Sequence, residues 1–283
     1  MIQPALADSA FLADVDAARQ EAGALHLWWL GQSGFLVQWQ GRRLLLDPYL
    51  SDSLTHKYAK TDKPHVRMTA RVIAPERLDF IDGVTSSHNH TDHLDAETLL
   101  PLMAANSGLH VVVPEANRAF AAQRLAVDPA RLMGVDPDCT PTAVDVAGFR
   151  VHCVPAAHEA LERDEARRYR FVGYVVACGP FTIYHSGDTV PYDGMVERLR
   201  RWTVDVALLP INGRKPERRV AGNLDGAEAA HLAHAIGARC VIPCHYEMFE
   251  FNTASPDAFV AEAQRIGQPY RTLAAGERFS YRH

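Results

Sequence analysis

Four apolar, strand-like runs in this chain each end in a side chain that binds metals. "VTSSHNHTDHLD" (84–95) leads into His88, His90, Asp92 and His93; "VPAAHE" ends at His158, "YHSGDT" at Asp188 and "IPCHYE" at His245. Any one of the last three alone reads as a buried histidine or a turn aspartate. Together with the cluster they require a fold in which separate strands finish at one sheet edge, so that their terminal side chains meet.

The rest of the chain is compatible with such a fold. Residues 1–24 read as an N-terminal helical extension, with Leu6, Phe11, Leu12 and Val15 near one face. Strand-like runs follow at 25–30, 34–40 and 42–48, the last two joined at hairpin length around Gly41. Residues 51–77 are polar and aperiodic, long for a loop without structure of its own. Thereafter strands and helices alternate: a strand into the cluster, a helix over 95–106, a strand over 110–114 and a helix after it. The second half repeats the scheme, opening on strands with a Gly-Pro turn at 179–180 and closing on helix–strand units. Hairpins opening each half and alternating units closing it predict an α+β fold, an αββα sandwich of two mixed sheets face to face with helices outside. No linker divides the chain, so 1–283 is expected to be a single domain.

Bulk properties exclude several classes. A net charge of −5 lacks the basic footprint of a nucleic-acid binder. No apolar run approaches the ~20 residues of a membrane span. The first twenty residues carry neither a basic start nor a long apolar core, so no export signal is expected. Five cysteines, odd in number and without a CxxC pair, suit a reducing compartment. A cytoplasmic protein is the expectation.

As chemistry, the cluster offers imidazole and carboxylate without thiolate, a set that suits zinc, manganese or iron in a reactive rather than a structural site. On an irregular loop leaving a strand, His88 and His90 can converge on one cation. A helix starting near Asp92 would turn Asp92 and His93 toward another. Asp95 reads equally as a partner for a metal-bound imidazole and as a helix N-terminal carboxylate. His185 reads equally as strand packing and as such a partner.

The order HxHxDH, then His, then Asp in "SGDT", then a late His resembles the metallo-β-lactamase superfamily from about Leu25 onward. Within it, "WWLGQSGFLV", "DGVTSSHNHTDHLD", "YHSGD", "DVALLPINGR" and "ARCVIPCHYEMFEFN" look like the L-ascorbate-6-phosphate lactonase group. The resemblance implies two divalent metal ions, zinc or manganese with iron as a third option. One would be held by His88, His90 and His158, the other by Asp92, His93 and His245, with Asp188 bridging. It also implies a homo-oligomer. A water shared by two such ions has its pKa lowered toward ~7, so a metal-bridged hydroxide is expected as the nucleophile, with Asp92 able to orient it. The expected reaction is the opening of a sugar-type, phosphorylated or otherwise anionic lactone; the alternative is a phosphodiesterase acting on a small or phospholipid-like diester.

Neither the fold nor the metals names a substrate. Asn212 and Arg214 in "PINGR" are candidates for binding hydroxyl or phosphate groups, and equally a polar turn. Lys57, Tyr58, Lys60, His65 and Arg67 can form an anion-binding lid or a solvated loop. Tyr246, Phe249 and Asn252 can wall the pocket or pack beneath it. Gln32, in the Gly31–Gly34 turn, is a further potential contact. A regulatory protein that has lost catalysis is disfavoured by the full set of seven ligands, and flavodiiron chemistry by the lack of room for a flavin domain.

Overall fold

The computed structural model describes residues 1–21 and 23–283; position 22, within the expected 1–24 extension, lies outside the described residues. The chain builds two sheets. The first holds β1 (Leu25–Gly31), β2 (Gly34–Trp39), β3 (Arg42–Leu46), β4 (Gly83–Thr85), β5 (His110–Pro114), β6 (Leu132–Val135) and, from the far end of the chain, β13 (Arg278–Tyr281). Their order is β13-β1-β2-β3-β4-β5-β6. The second holds β7 (Ala143–Val146), β8 (Phe149–Pro155), β9 (Val172–Cys178), β10 (Phe181–His185), β11 (Val206–Pro210) and β12 (Cys240–Cys244), in the order β12-β11-β10-β9-β8-β7.

Both sheets follow one scheme. An antiparallel meander (β13 to β3; β7 to β10) passes into parallel strands (β3 to β6; β10 to β12). The meanders turn tightly where the sequence permits positive φ: Gln40–Gly41 at +47° and +77°, and Ala147–Gly148 at +48° and +92°, the pattern of two-residue hairpin connections. Strands β1, β3, β4, β8, β10 and β12 therefore point the same way, and their carboxyl ends share one edge of the sandwich. Open sheets bind ligands outside such ends.

Inner faces of Val, Leu, Ile and large aromatics, with Trp28, Trp29, Tyr174 and Tyr184 fully buried, make one continuous core. At Gly83 the sheets approach so closely that a Cβ would lie 2.3 Å from Val146 Cγ1. Outside the sheets lie α1 (Asp8–Ala17), α2 (Ser53–Tyr58), α3 (Ala96–Ala105), α4 (Arg118–Leu125), α5 (Met195–Leu199), α6 (Gly226–Ala235) and α7 (Asp257–Ile266). Helix α4 covers β5 and β6, and α6 covers β11 and β12. A capping box starts α6, with Asp225 accepting from Glu228 N while the Glu228 side chain accepts from Asp225 N. The αββα expectation holds.

Three expectations need correction. The 51–77 segment is not structureless: it forms α2, a 3-10 turn at Pro75–Arg77, and bridges from Thr69 to Ile2 and from Arg67 to Phe249. The helix placed near Asp92 starts at Ala96, because Asp95 engages the preceding loop, accepting from Ser51 Oγ (2.6 Å) and Ser53 Oγ (2.9 Å) as well as Thr98 Oγ1 (2.6 Å). Within 1–24 the α-helix covers only Asp8–Ala17, followed by a 3-10 turn to Gln20, and Leu6 precedes it. Strands β6 and β13 are additions to the expected set; at four residues each they are too short for periodicity to register.

Candidate metal centre and its cavity

The shared edge collects every residue of the expected ligand set. His88, His90 and His158 form one group, and Asp92, His93 and His245 a second, in each of which one ligand atom per residue lies within 4.8 Å of the others. Asp188 stands between them. Its Oδ1 is 3.3 Å from His93 Nε2, and its Oδ2 is 3.4 Å from His245 Nε2 and 3.7 Å from His158 Nε2. Two donors that share a tetrahedral cation at 2.0–2.1 Å sit ~3.3 Å apart, so these separations suit a common ion. His88 Nε2, His93 Nε2 and Asp188 Oδ1 are buried and lack any hydrogen-bond partner among the described residues. Buried polar atoms are normally satisfied, so convergent orphans of this kind fit a divalent cation.

The imidazoles are aimed by bonds to their other nitrogen. His158 Nδ1 donates to Gly222 O (2.9 Å), and His93 Nδ1 donates to Asp47 Oδ2 (2.7 Å). Both bonds leave Nε2 facing the centre. Asp47 also accepts from Thr85 Oγ1 (3.1 Å), Ser87 N (3.0 Å) and Ser87 Oγ, and that hydroxyl lies 3.0 Å from His88 Nδ1. Asp47 is itself close enough to His88 and His93 to count in a cluster. With four donors already on its carboxylate, its role is to hold them rather than to bind the ion. Phe171 packs against His88, His90 and His158 with ring centroids 5.2–5.9 Å away.

Burial works to raise the pKa of Asp188, but His93 and His245 outweigh it and hold the carboxyl well below the usual range. For His93, burial favours the neutral ring, and Asp188 and Asp92 overcome that and raise its pKa well above the ordinary histidine value. His88 goes the other way: burial, then the neighbouring His93 and His90, push it well down.

Backbone geometry at this edge is unusual. Gln32, Asp47 and His245 all have positive φ (+50°, +41° and +63°), a conformation that few non-glycine residues adopt and that clusters at functional sites. The Gln32 carbonyl accepts from His245 N (2.8 Å) and Trp29 Nε1 (2.9 Å), tying the β1–β2 turn to the end of β12. The Gln32 amide donates to Asp92 Oδ2 (2.8 Å). Gly187, at +60°, has no room for a side chain, since a Cβ would lie 2.6 Å from Val172 O and 2.7 Å from Ser87 Cβ.

The centre opens into a cavity of about 330 Å³. Of the proposed substrate contacts, Lys57 and Asn252 line it, as do Gln32, Tyr58, His65 and Phe249. Asn212 does not: it is buried between Asn223 Nδ2 and Asn252 Oδ1, each at 3.0 Å. Arg214 pairs with Glu228 on α6 instead (2.9 Å). Tyr246 packs beneath, its ring 4.5 Å from Trp29 and its hydroxyl on Leu273 O (2.7 Å). Arg67 binds Asp52 (2.6 Å) and the Ser51 carbonyl, and Lys60 is likewise off the cavity wall. His185 is a packing residue, with Nε2 2.8 Å from Ser33 O. Sequence reasoning missed Asp47, Arg124 and Phe171. Asp47 ends an apolar strand just as Asp188 does, so the same rule would have found it.

Comparisons with known proteins give the family and the fold. The profile of the Beta-lactamase superfamily domain matches residues 42–246. A metal-dependent hydrolase of Opitutus terrae is 31% identical over 259 residues, covering 89% of this chain and 98% of its own. Among solved structures, Igni18, a metallo hydrolase of Ignicoccus hospitalis, superposes with a TM-score of 0.66 at 21% identity, over 92% of this chain and 99% of its own. An isothiocyanate hydrolase from Delia radicum gut bacteria superposes with a TM-score of 0.68 at 18% identity, over 90% and 100%. These two show the fold. The chain belongs to the metallo-β-lactamase superfamily and is a metal-dependent hydrolase of it.

Proposed function

We propose that the centre binds two divalent cations, zinc or manganese with iron as a third option, and hydrolyses a small anionic substrate whose scissile bond is that of a lactone. His88, His90 and His158 would hold one ion, Asp92, His93 and His245 the other, and Asp188 both. The observation that carries this reading is a carboxylate, Asp188, placed between two ligand groups with the Nε2 atoms of His93, His245 and His158 at 3.3–3.7 Å from it. When bound, such ions supply Lewis acidity and water of lowered pKa at neutral pH.

The chain's own residues prepare that chemistry. Asp47 fixes the ring of His93 and, through Ser87, that of His88. The Gln32 amide holds one oxygen of Asp92, leaving the other to orient the attacking water. Lys57 lines the cavity, lies 5.0 Å from the Tyr58 ring and forms no ion pair among the described residues, so it can attract an anionic group. A second reading, phosphodiester hydrolysis, draws on Lys57 together with Arg124, which also lines the cavity. The five cysteines are all unpaired, which suits a cytoplasmic setting. No helix among the described residues is long and apolar enough to cross a membrane.

The test is turnover by zinc- and manganese-loaded protein of two lactones, a sugar-phosphate lactone and an aryl one, beside an activated phosphodiester. Lactone turnover that disappears in Asp188→Ala supports the lead. Turnover of the diester alone replaces it with the second reading.

A further inference from the structure

The cavity has two unlike sides. One is the reacting edge, lined by His90, Asp92, His158, Asp188 and His245; the other is lined by Leu54, Tyr58, His65, Phe249, Phe251 and Val220. The second side is not an extension of the main core. Tyr49, Leu54, Met248 and Phe249 form a separate apolar cluster, with Tyr58 and Phe251 packed on it.

Its rings lock one another in place. His65 stacks on Tyr58 (centroids 4.2 Å apart, 19° between planes) and meets Phe251 at 4.4 Å and Phe249 at 5.1 Å. His65 Nδ1 is 3.0 Å from the Lys63 carbonyl, which can only accept, so that nitrogen carries the hydrogen and the ring cannot turn freely. Along Tyr58, His65, Phe249 and Phe251 the wall offers a bound molecule a phenol and an imidazole as polar groups, with the Lys57 ammonium and the Asn252 amide beside them. A polyhydroxylated body lying flat on these rings would exchange the water on most of its hydroxyls for few partners, a loss that disfavours it there. A flat apolar body would instead complete the packing of rings already fixed in position.

Two cations of the lining, Lys57 and Arg124, form no ion pair among the described residues. Arg124 gives Nη1 to the carbonyls of Asn89 (2.7 Å) and Leu94 (3.0 Å) and lies over the Phe120 ring.

Resting on the hydrolase reading above, we propose that the substrate is a compact anion whose scissile group carries a flat, apolar, ring-sized body rather than a polyol. The ring lies on the Tyr58–His65–Phe251 wall, and the charge lies toward Lys57 and Arg124.

The test is titration calorimetry of zinc-loaded protein with phenylphosphonate, methylphosphonate and neutral benzamide. Phenylphosphonate is expected to bind at least tenfold tighter than methylphosphonate. Phe251→Ser, at a half-buried position outside the main core, should remove that ratio and leave methylphosphonate unchanged. Lys57→Gln should weaken both phosphonates severalfold and spare benzamide. Equal binding of the two phosphonates, or a ratio that survives Phe251→Ser, overturns the proposal. Turnover separates it from the hydrolase reading. With rates normalised to the uncatalysed reaction, dihydrocoumarin should exceed glucono-δ-lactone at least tenfold in kcat/KM. Glucono-δ-lactone as the better substrate sinks the apolar body and leaves hydrolysis standing. A phenyl preference without turnover of any lactone or diester sinks hydrolysis and leaves the wall standing.

Discussion

The two sides of the cavity are built by different means. Residues on the reacting edge are mostly buried, stand just past the ends of core strands, and are aimed by bonds such as His93–Asp47 and Gln32–Asp92. The opposite side comes from α2 and the irregular segments 61–66 and 249–252, and its residues are mostly half-buried or exposed. Rigid strands fix positions to the tolerance that metal chemistry requires, whereas loops can vary in shape and content without disturbing them. On the proposed reading, reaction and selectivity are written into separable parts of the chain.

Substitutions can break that separation. The largest effect is expected for Asp188→Ala, which removes the carboxylate between the two ligand groups. Metal content measured by elemental analysis should fall, and activity should drop by more than the ~10–100-fold typical of residues that only support a ligand. Asp47→Asn should fall within that range in metal affinity. Asp52→Asn, on the half-exposed pair with Arg67, should leave affinity unchanged. Equal effects of Asp47→Asn and Asp52→Asn would abolish the distinction between the two sides.

Acid supplies a third probe, and the signs at the edge oppose one another. His93 has a raised pKa in the folded chain, so its contribution to stability is complete below the unfolded value of ~6.5 and is lost as pH rises through the folded value. His88 has a depressed pKa, so its contribution is present above ~6.5 and is lost as pH falls. In metal-stripped protein these two partly cancel, but burial also lowers the pKa of His26, His65, His90 and His152, so the melting temperature should fall modestly as pH drops from 7 to 6. Metal-loaded protein should lose stability as pH falls through the same range, because protons compete for the imidazoles. Loading near pH 7 should release the proton held by His93, readable as buffer-dependent heat. The smallest effect is expected for Arg214→Ala, a partly exposed ion pair off the cavity, which should cost less than about 1 kcal/mol in a denaturant titration and leave KM unchanged. A raised KM would return Arg214 to the binding site.

The same division governs how much of the molecule could be read from sequence. The reacting edge was legible because each of its acids and imidazoles follows an apolar run, and strand direction then brings His88, His158, Asp188 and His245 together. Asp47 obeys that rule too, but it stands 46 positions before the His93 it holds, and no local pattern links the two. Asn212 and Arg214 were misplaced for a physical reason. A polar residue after a strand can spend its hydrogen bonds on Asn223 or Glu228, partners far along the chain that no local pattern announces. Helix α2 was illegible because six residues give too little periodicity, and its position depends on Phe249 and Phe251, almost 200 positions away.

The left-handed backbones of Gln32, Asp47 and His245 bear on any attempt to make this chain more heat-resistant. Each such non-glycine residue costs of order 1 kcal/mol or more. Replacing them with glycine would relieve that strain, yet at Asp47 it would leave four buried donors without their acceptor, a loss that outweighs the gain. All three replacements remove a side chain that faces the candidate metal centre or steadies one that does. Thermostability here should come from the outer helices and from the turns at the opposite edge, with these three corners left strained.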